Sequence, residues 1–484
     1  MIAGIIVSFI TAPLLLKYVG EERYGVYRVL FDIFSYFGIL DVGIFGSMMM
    51  ILNKSMAKMD VSDKWAAIIA SKRIYYKITV VSVFVFLAFI PFLSYLVPVS
   101  DIPKREFYLA YLIMGIGIFF LSLKVNQAYL EAKQLGYLIG FGLTFQNVFY
   151  SVVAIGLGYI GFGLVGMAIG FAFGQLLPYF YYLYKFKKIV PPLEREITSE
   201  EIEQKRKDIW HIQWPVLLTS ITGRLSIYSD TIIISKCMSP IAVSAFFISQ
   251  RVVSIAGNFL MGISGATWAA MGELYNSGED EKFRDLFFRI SKFISVVSVI
   301  FAVPIIFLSK SFVTLWVGES LFVSDFFIFV AVVNMFVQSV LTFWGWCFTV
   351  THKVHRLMKL QILSTILNIG TSIYFTLTYK HSGPILGTLF TYFTLFGWWI
   401  VWHLKDEFAL SVRKIVLTFL PSLIYLLFVS YVGLHYYDFS IVKTWSALFM
   451  YGFLIGVTNL LLCNFLLFSK EEKQYFYNRI RSIF

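Results

Sequence analysis

Apolar residues in this chain arrive in runs of about twenty, divided by short polar connections. Lipid offers no hydrogen-bond partner to an open backbone, so a run of about 20 apolar residues predicts a spanning α-helix. Fourteen such runs occur, at 1–19, 29–52, 75–98, 107–123, 137–160, 163–184, 213–235, 241–272, 290–309, 321–349, 357–379, 384–403, 415–434 and 446–468. The pattern predicts an all-α integral membrane protein, and an even number of crossings puts both termini on one side.

Composition agrees. Of 484 residues, 58% are hydrophobic and only 14% charged, against about 25% charged in a soluble chain. That excludes a set of soluble domains, a disordered chain and a disulfide scaffold. Aromatic residues make up 19%, as lipid-facing and interfacial surfaces require. The net charge of +12 would fit a nucleic-acid binder in a soluble protein, but here its placement matters more. Of the 40 Lys and Arg, 29 fall in segments on the side of the N-terminus and 9 on the other, with Arg224 and Arg251 inside runs. The positive-inside rule therefore predicts cytoplasmic termini and no nucleic-acid partner.

The chain also repeats itself. A shift of 219 residues lays Gly4 on Gly223, Lys17 on Lys236, Gly38 on Gly257, Gly43 on Gly262, Ile44 on Ile263 and Gly46 on Gly265. A shift of 221 lays Asn147 on Asn368 and Gly166 on Gly387. Six spans separate the copies, so two six-helix bundles related by a pseudo-two-fold along the membrane normal are expected. The expected organisation is an N-terminal bundle at 1–184, a cytoplasmic linker at 185–212, a second bundle at 213–403, and two additional helices with a cytoplasmic tail at 404–484. The 219-residue shift also carries Gln213, near the start of the seventh run, to a position before Met1. The expected start of the native chain is thus about ten residues upstream. The connection from Asn53 to Arg73 predicts a short helix around Trp65–Ala70, either on the anionic leaflet or as a solvated linker.

Little enzyme chemistry is legible. Cys237, Cys347 and Cys463 are scattered, and His211, His352, His355, His381, His403 and His435 sit at span ends or in loops. Neither set has metal-ligand spacing, and no Gly-rich lysine loop is present. Outer connections are too short for the carboxylate-bearing domain of a glycan polymerase. The expectation is a carrier with no catalytic residue, metal or cofactor.

Ionisable groups inside a membrane are costly and point to function. Arg224 lies in Thr219-Ser220-Ile221-Thr222-Gly223-Arg224, a small polar stretch suited to a wet cavity. Its guanidinium fork fits phosphate oxygens, or pairs with a carboxylate of another span. Asp32 is carried by the repeat to the position of Arg251, so the two could pair across the symmetry axis; Arg28 offers Asp32 a local i,i+4 partner instead. Asp41 and Asp230 are candidate proton carriers or polar packing contacts.

The segment Leu16 to Tyr27, reading LKYVGEERYGVY, then Leu40-Asp41-Val42-Gly43 and Ser229-Asp230-Thr231-Ile232-Ile233-Ile234, resembles the Wzx-type polysaccharide flippases. Their superfamily also holds multidrug exporters and the lipid II flippase. The resemblance implies a V-shaped pair of bundles working by alternating access. It implies a polyprenyl-pyrophosphate-linked oligosaccharide carried across a bacterial inner membrane for O-antigen or capsule synthesis, alongside a polymerase and chain-length partners. It further implies a cationic cavity, to which Arg224 and Arg251 are the candidate contributors, and a proton or sodium ion as coupling partner. A drug or small-molecule antiporter, a lipid II flippase and a membrane-embedded glycan polymerase are the alternatives. An antiporter for cationic drugs would favour a carboxylate-lined cavity.

Overall fold

The computed structural model describes residues 2–37, 39–57, 60–193, 195–351, 353, 355–436, 442–468 and 473. It is 90% helix, with no strand among the described residues. Packing divides the chain into two compact units, Met1–Ser244 and Ala245–Phe484.

The first unit holds α1 (Ile2–Val19), α2 (Glu21–Phe37), α3 (Ile39–Ala57), α4 (Val61–Ala88), α5 (Ile90–Leu96) and α6 (Lys104–Met114). A 3₁₀ stretch (Gly115–Leu123) follows, then α7 (Lys124–Ala132), α8 (Gly136–Tyr159), α9 (Gly163–Ile189) and α10 (Ser199–Cys237). Helix α11 (Pro240–Ser249) leads into the second unit, which holds α12 (Arg251–Ala266), α13 (Trp268–Asn276), α14 (Asp280–Val317) and α15 (Asp325–Val350). Next come α16 (His355–Tyr379), α17 (Gly383–Thr391), a π-helical turn (Tyr392–Phe396), α18 (Gly397–Phe408), α19 (Val412–Tyr436) and α20 (Trp445–Leu466). Among the described residues, nine continuous helical stretches are long and apolar enough to cross a membrane. The count is ten if α4 and α5, bent by 52°, form one broken span. Pro91 opens α5, and a proline there cannot continue the hydrogen-bond ladder of α4.

One expectation is corrected. Trp65–Ala70 forms neither a surface helix nor a solvated linker but the first turns of α4, which runs unbroken to Ala88. Asp60 caps it by accepting from Ser62 N at 2.8 Å. Ala66, Ala67, Ile68 and Ala70 are buried, and Trp65 Nε1 donates to Pro191 O at 3.0 Å. The apolar run reads like a membrane-surface face because the segment is equally amphipathic when it packs on protein.

One matched pair of glycines in the repeat, Gly166 and Gly387, has a packing cause in each unit. A Cβ at Gly166 would press on Leu157, drawing α9 against α8, and one at Gly387 would collide with Ser372, drawing α17 against α16. Small residues at these crossings let two backbones approach where lipid supplies no hydrophobic drive to hold them. Asn368 Nδ2 then donates to Thr388 Oγ1 at 2.9 Å across the second crossing. In the second unit α19 and α20, which have no counterpart in the repeat, are tied to α14 through Asn459. Its Nδ2 donates to Val299 O at 3.1 Å and its Oδ1 accepts from Tyr425 OH at 3.0 Å.

Helix α10 is 39 residues long, about 58 Å at 1.5 Å per residue. That is nearly twice the hydrocarbon thickness, so its N-terminal part extends beyond the membrane. Thr198 and Glu201 start it with a reciprocal capping box. Lys205 then reaches Asp63 Oδ2 of α4 at 2.7 Å and Ser55 Oγ of α3 at 3.3 Å. The extension is therefore a fixed part of the first unit.

Candidate functional site

The site forms where α2 and α10 meet, and the start of α2 shows how they are held. Glu22 is buried and its Oε1 accepts from Ser100 N at 2.8 Å, while its Oε2 accepts from Asp101 N at 3.1 Å. Arg23 makes a two-pronged pair with Glu106 of α6, Nε to Oε1 at 2.8 Å and Nη2 to Oε2 at 3.0 Å. Glu106 also accepts from Leu164 N, in the first turn of α9, at 2.8 Å. A Cβ at Gly25 would collide with the Pro240 carbonyl, and Ser244 Oγ donates to Glu21 O at 2.6 Å. The Glu-Glu-Arg-Tyr-Gly segment is thus a clamp joining α2 to α6, α9 and the first turn of α11.

About two turns along α2 from the clamp lies Asp32, and Asp230 of α10 stands near it. Asp32 is 5% exposed; Arg28 Nη2 stands 3.9 Å from its Oδ1, and Thr231 Oγ1 of α10 donates to its Oδ2 at 2.7 Å. Arg28 also lies over the Phe31 ring at 4.9 Å. Asp230 is the chain neighbour of Thr231 and interacts electrostatically with Asp32 and Tyr36. Its Oδ1 is buried without a hydrogen-bond partner among the described residues. The fold therefore brings Asp32 and Asp230, far apart in sequence, to one place.

Next to this pair α2, the 3₁₀ stretch, α9 and α10 enclose a cavity of about 160 Å³. Its aromatic wall is Phe31, Phe34, Phe37 and Phe171, with Phe34 and Phe171 edge-to-face at 5.1 Å. Its polar side carries Ser35, Lys124, Gln175, Tyr179 and Arg224. A Cβ at Gly117 would come within 2.6 Å of Gln175 Oε1, so this glycine leaves the amide its place. Two cations on a partly aromatic wall, inside a membrane-spanning unit, favour an anion.

Arg224 thus lines a cavity, and Arg28, Asp32 and Asp230 cluster beside it. Asp41 lies on α3, and its side chain falls outside those described. Arg251 opens α12 in the second unit, with its guanidinium 5.6 Å from the Phe247 ring. The sequence reading missed Lys124, Gln175 and Tyr179. It ended the fourth span at residue 123 and put Lys124 in a connection, whereas the helical stretch Lys104–Ala132 is continuous. The signal was present: no Gly or Pro interrupts the sequence between Gly117 and Gly136. Elsewhere in the second unit, Val252, Phe259, Pro304, Phe453 and Leu460 belong to the lining of an apolar groove of about 670 Å³. Among the described residues no group of three metal-ligating side chains occurs.

Over 99% of this chain and 97% of the other, the fold is similar to the structure of lipid II flippase MurJ in an inward closed conformation, at 16% identity and a TM-score of 0.71. It is also similar to an inward-facing multidrug resistance MATE family transporter of the MOP superfamily, over 88% and 96% of the two chains, at 14% identity and a TM-score of 0.58. An outward-facing structure of that kind matches over 86% and 94%, at 15% identity and a TM-score of 0.57. No curated protein matches the sequence significantly. Residues 21–324 match the family described as polysaccharide biosynthesis protein, and the chain belongs to that family.

Proposed function

We propose that this multi-pass membrane protein is a flippase that moves a polyprenyl-pyrophosphate-linked oligosaccharide from the cytoplasmic to the outer leaflet of a bacterial inner membrane, by alternating access. The observation that carries the reading is Arg224 in the lining of a cavity within a unit built of membrane-spanning helices, in a chain of a polysaccharide biosynthesis family. A pyrophosphate and several sugars do not cross about 30 Å of hydrocarbon unaided, because their lost hydration is not replaced there. A guanidinium supplies that replacement with five donors in a fork matched to phosphate oxygens. Arg251 is a second contact for the headgroup during its passage, and the apolar groove of the second unit suits an isoprenoid chain.

Asp32 and Asp230 are the coupling carboxylates in this reading. Asp230 Oδ1, buried and without a hydrogen-bond partner among the described residues, is an oxygen that takes up a proton or a sodium ion, and Thr231 links its state to Asp32. The cytoplasmic placement of the termini rests on the charge asymmetry of the connections. A carrier of cationic drugs is the weaker reading, because the cavity itself holds Arg224 and Lys124. The protein works as a carrier, with surface-polysaccharide polymerase and chain-length proteins as its natural partners.

In cells, Arg224→Ala abolishes surface polysaccharide at normal membrane levels of the protein, and Arg224→Lys retains part of the function. Normal export by the alanine variant removes Arg224 from the substrate site.

A further inference from the structure

The fourth span changes its winding on the way to the cavity. After α6 come nine residues of 3₁₀ helix, Gly115–Leu123, and then α-helix from Lys124 onward. Runs of 3₁₀ longer than three or four residues are uncommon, and in mid-helix they often mark a hinge. Three of the nine, Gly117, Ile118 and Leu121, line the cavity, and so does Lys124 immediately after them.

The geometry has a direct consequence. Each residue turns about 120° in a 3₁₀ helix and about 100° in an α-helix, so nine residues differ by about 180° between the two windings. The rise differs by about 0.5 Å per residue, or about 4.5 Å over the stretch. With α6 held in place, the 3₁₀ winding sets Lys124 on the cavity face, and α winding would turn it to the opposite face of its span. What holds α6 is visible. Glu106 is clamped by Arg23 and Leu164, and Tyr111 OH donates to Phe86 O at 2.8 Å with the two rings stacked at 4.2 Å. Gly115 begins the stretch against the Phe86 ring, where no Cβ fits.

We infer that Lys124 is a further headgroup-binding residue, and that the 3₁₀ stretch delivers it to complete with Arg224 a two-cation site for a diphosphate. The inference rests on the flippase reading and adds ligand class and conformational state to it. The cavity volume corresponds to roughly five waters at about 30 Å³ each. That is room for a diphosphate group and excludes an oligosaccharide, so the sugars lie elsewhere. Two cations match the charge of a diphosphate better than that of a monophosphate, and rewinding the stretch would dismantle the site and release the ligand.

The test is equilibrium binding to the full chain in lipid nanodiscs, with inorganic pyrophosphate, inorganic phosphate and polyprenyl diphosphate as separate probes. Lys124→Gln is expected to weaken pyrophosphate and polyprenyl diphosphate at least tenfold and phosphate by less than threefold, while Lys124→Arg stays near wild type. In a variant lacking native cysteines, Lys124→Cys should regain diphosphate binding on conversion to an aminoethyl thioether or disulfide, which restores the cation. Equal losses for phosphate and pyrophosphate, or no regain after conversion, overturn the two-cation site. If Lys124→Gln binds diphosphate normally while Arg224→Gln does not, this inference fails and the flippase reading stands. If neither change affects any probe, the reading itself fails. Binding of polyprenyl diphosphate but not of inorganic pyrophosphate, lost in Lys124→Gln, assigns the site to the lipid-linked source alone; tight binding of both assigns it to the diphosphate group as such.

Discussion

The clamp at the start of α2 is open to a quantitative test, because a single carboxylate holds three elements. Glu106 accepts from Arg23 Nε at 2.8 Å, from Arg23 Nη2 at 3.0 Å and from Leu164 N at 2.8 Å. The side chains of Arg23 and Glu106 are 32% and 16% exposed. A fully exposed ion pair contributes about 0.2–1 kcal/mol, whereas breaking a buried one costs about 3–5 kcal/mol. The partial exposure places Glu106→Gln between these limits, at about 2 kcal/mol. At roughly 2–4 °C per kcal/mol for a unit of this size, the melting temperature should fall by about 4–8 °C. The assay is thermal unfolding in mild detergent for Glu106→Gln, Arg23→Met and the double variant. The pair should couple by about 1 kcal/mol or more, so that the double variant loses less than the sum of the single changes. Coupling below about 0.3 kcal/mol would falsify the clamp and leave the position of α2, and hence of the cavity wall, without its anchor.

Other expectations follow from the same geometry. Gly115→Ala drives a methyl into the Phe86 ring, which is itself stacked on Tyr111; overpacking of this kind costs about 1–3 kcal/mol, and a melting temperature equal to wild type would contradict the packing. In the second unit, Lys353 and Arg356 stand 2.8 and 2.9 Å from Glu407. The hydrogen bond from Lys353 holds the Glu407 carboxyl below the usual carboxylate range. A depressed folded value adds stability above the ordinary value of about 4.3, and that stability is lost as the pH falls through the lowered one. The difference in melting temperature between wild type and Glu407→Gln should therefore be constant above about pH 5 and shrink toward zero in stronger acid; a difference that grows on acidification contradicts the assignment. Thr231→Val removes the donor to Asp32 and should lower transport more than it lowers stability, as read by turnover and melting temperature on one preparation.

How much was legible in the sequence follows from what each residue needs. Spans are legible because each must satisfy its own backbone in lipid, so the apolar runs announce themselves without knowledge of any neighbour. The repeat is legible through Gly166 and Gly387 because both stand at helix crossings where a side chain does not fit. Arg224 drew attention as a charge inside an apolar run. Lys124 did not, because it stands at the edge of one, and only the 3₁₀ winding turns it to the cavity. Winding of that kind depends on the tertiary contacts of Gly115 and Gly117, which local propensity does not report. Trp65–Ala70 misled for the opposite reason: a face apolar enough for a lipid surface is apolar enough for α4's protein neighbours. The Glu-Glu-Arg-Tyr-Gly segment was read for its resemblance alone. Its physical role, capping a turn and tying three helices, needs Ser100, Glu106 and Leu164, all more than 70 residues away.

The most direct measurement is translocation by the purified protein in liposomes, with a fluorescent oligosaccharide on polyprenyl pyrophosphate and an outside quencher that reads its leaflet. Wild type should move the lipid, Arg224→Lys should move it more slowly, and Arg224→Ala should leave it at the rate of protein-free vesicles. Translocation by Arg224→Ala at the wild-type rate would contradict the account.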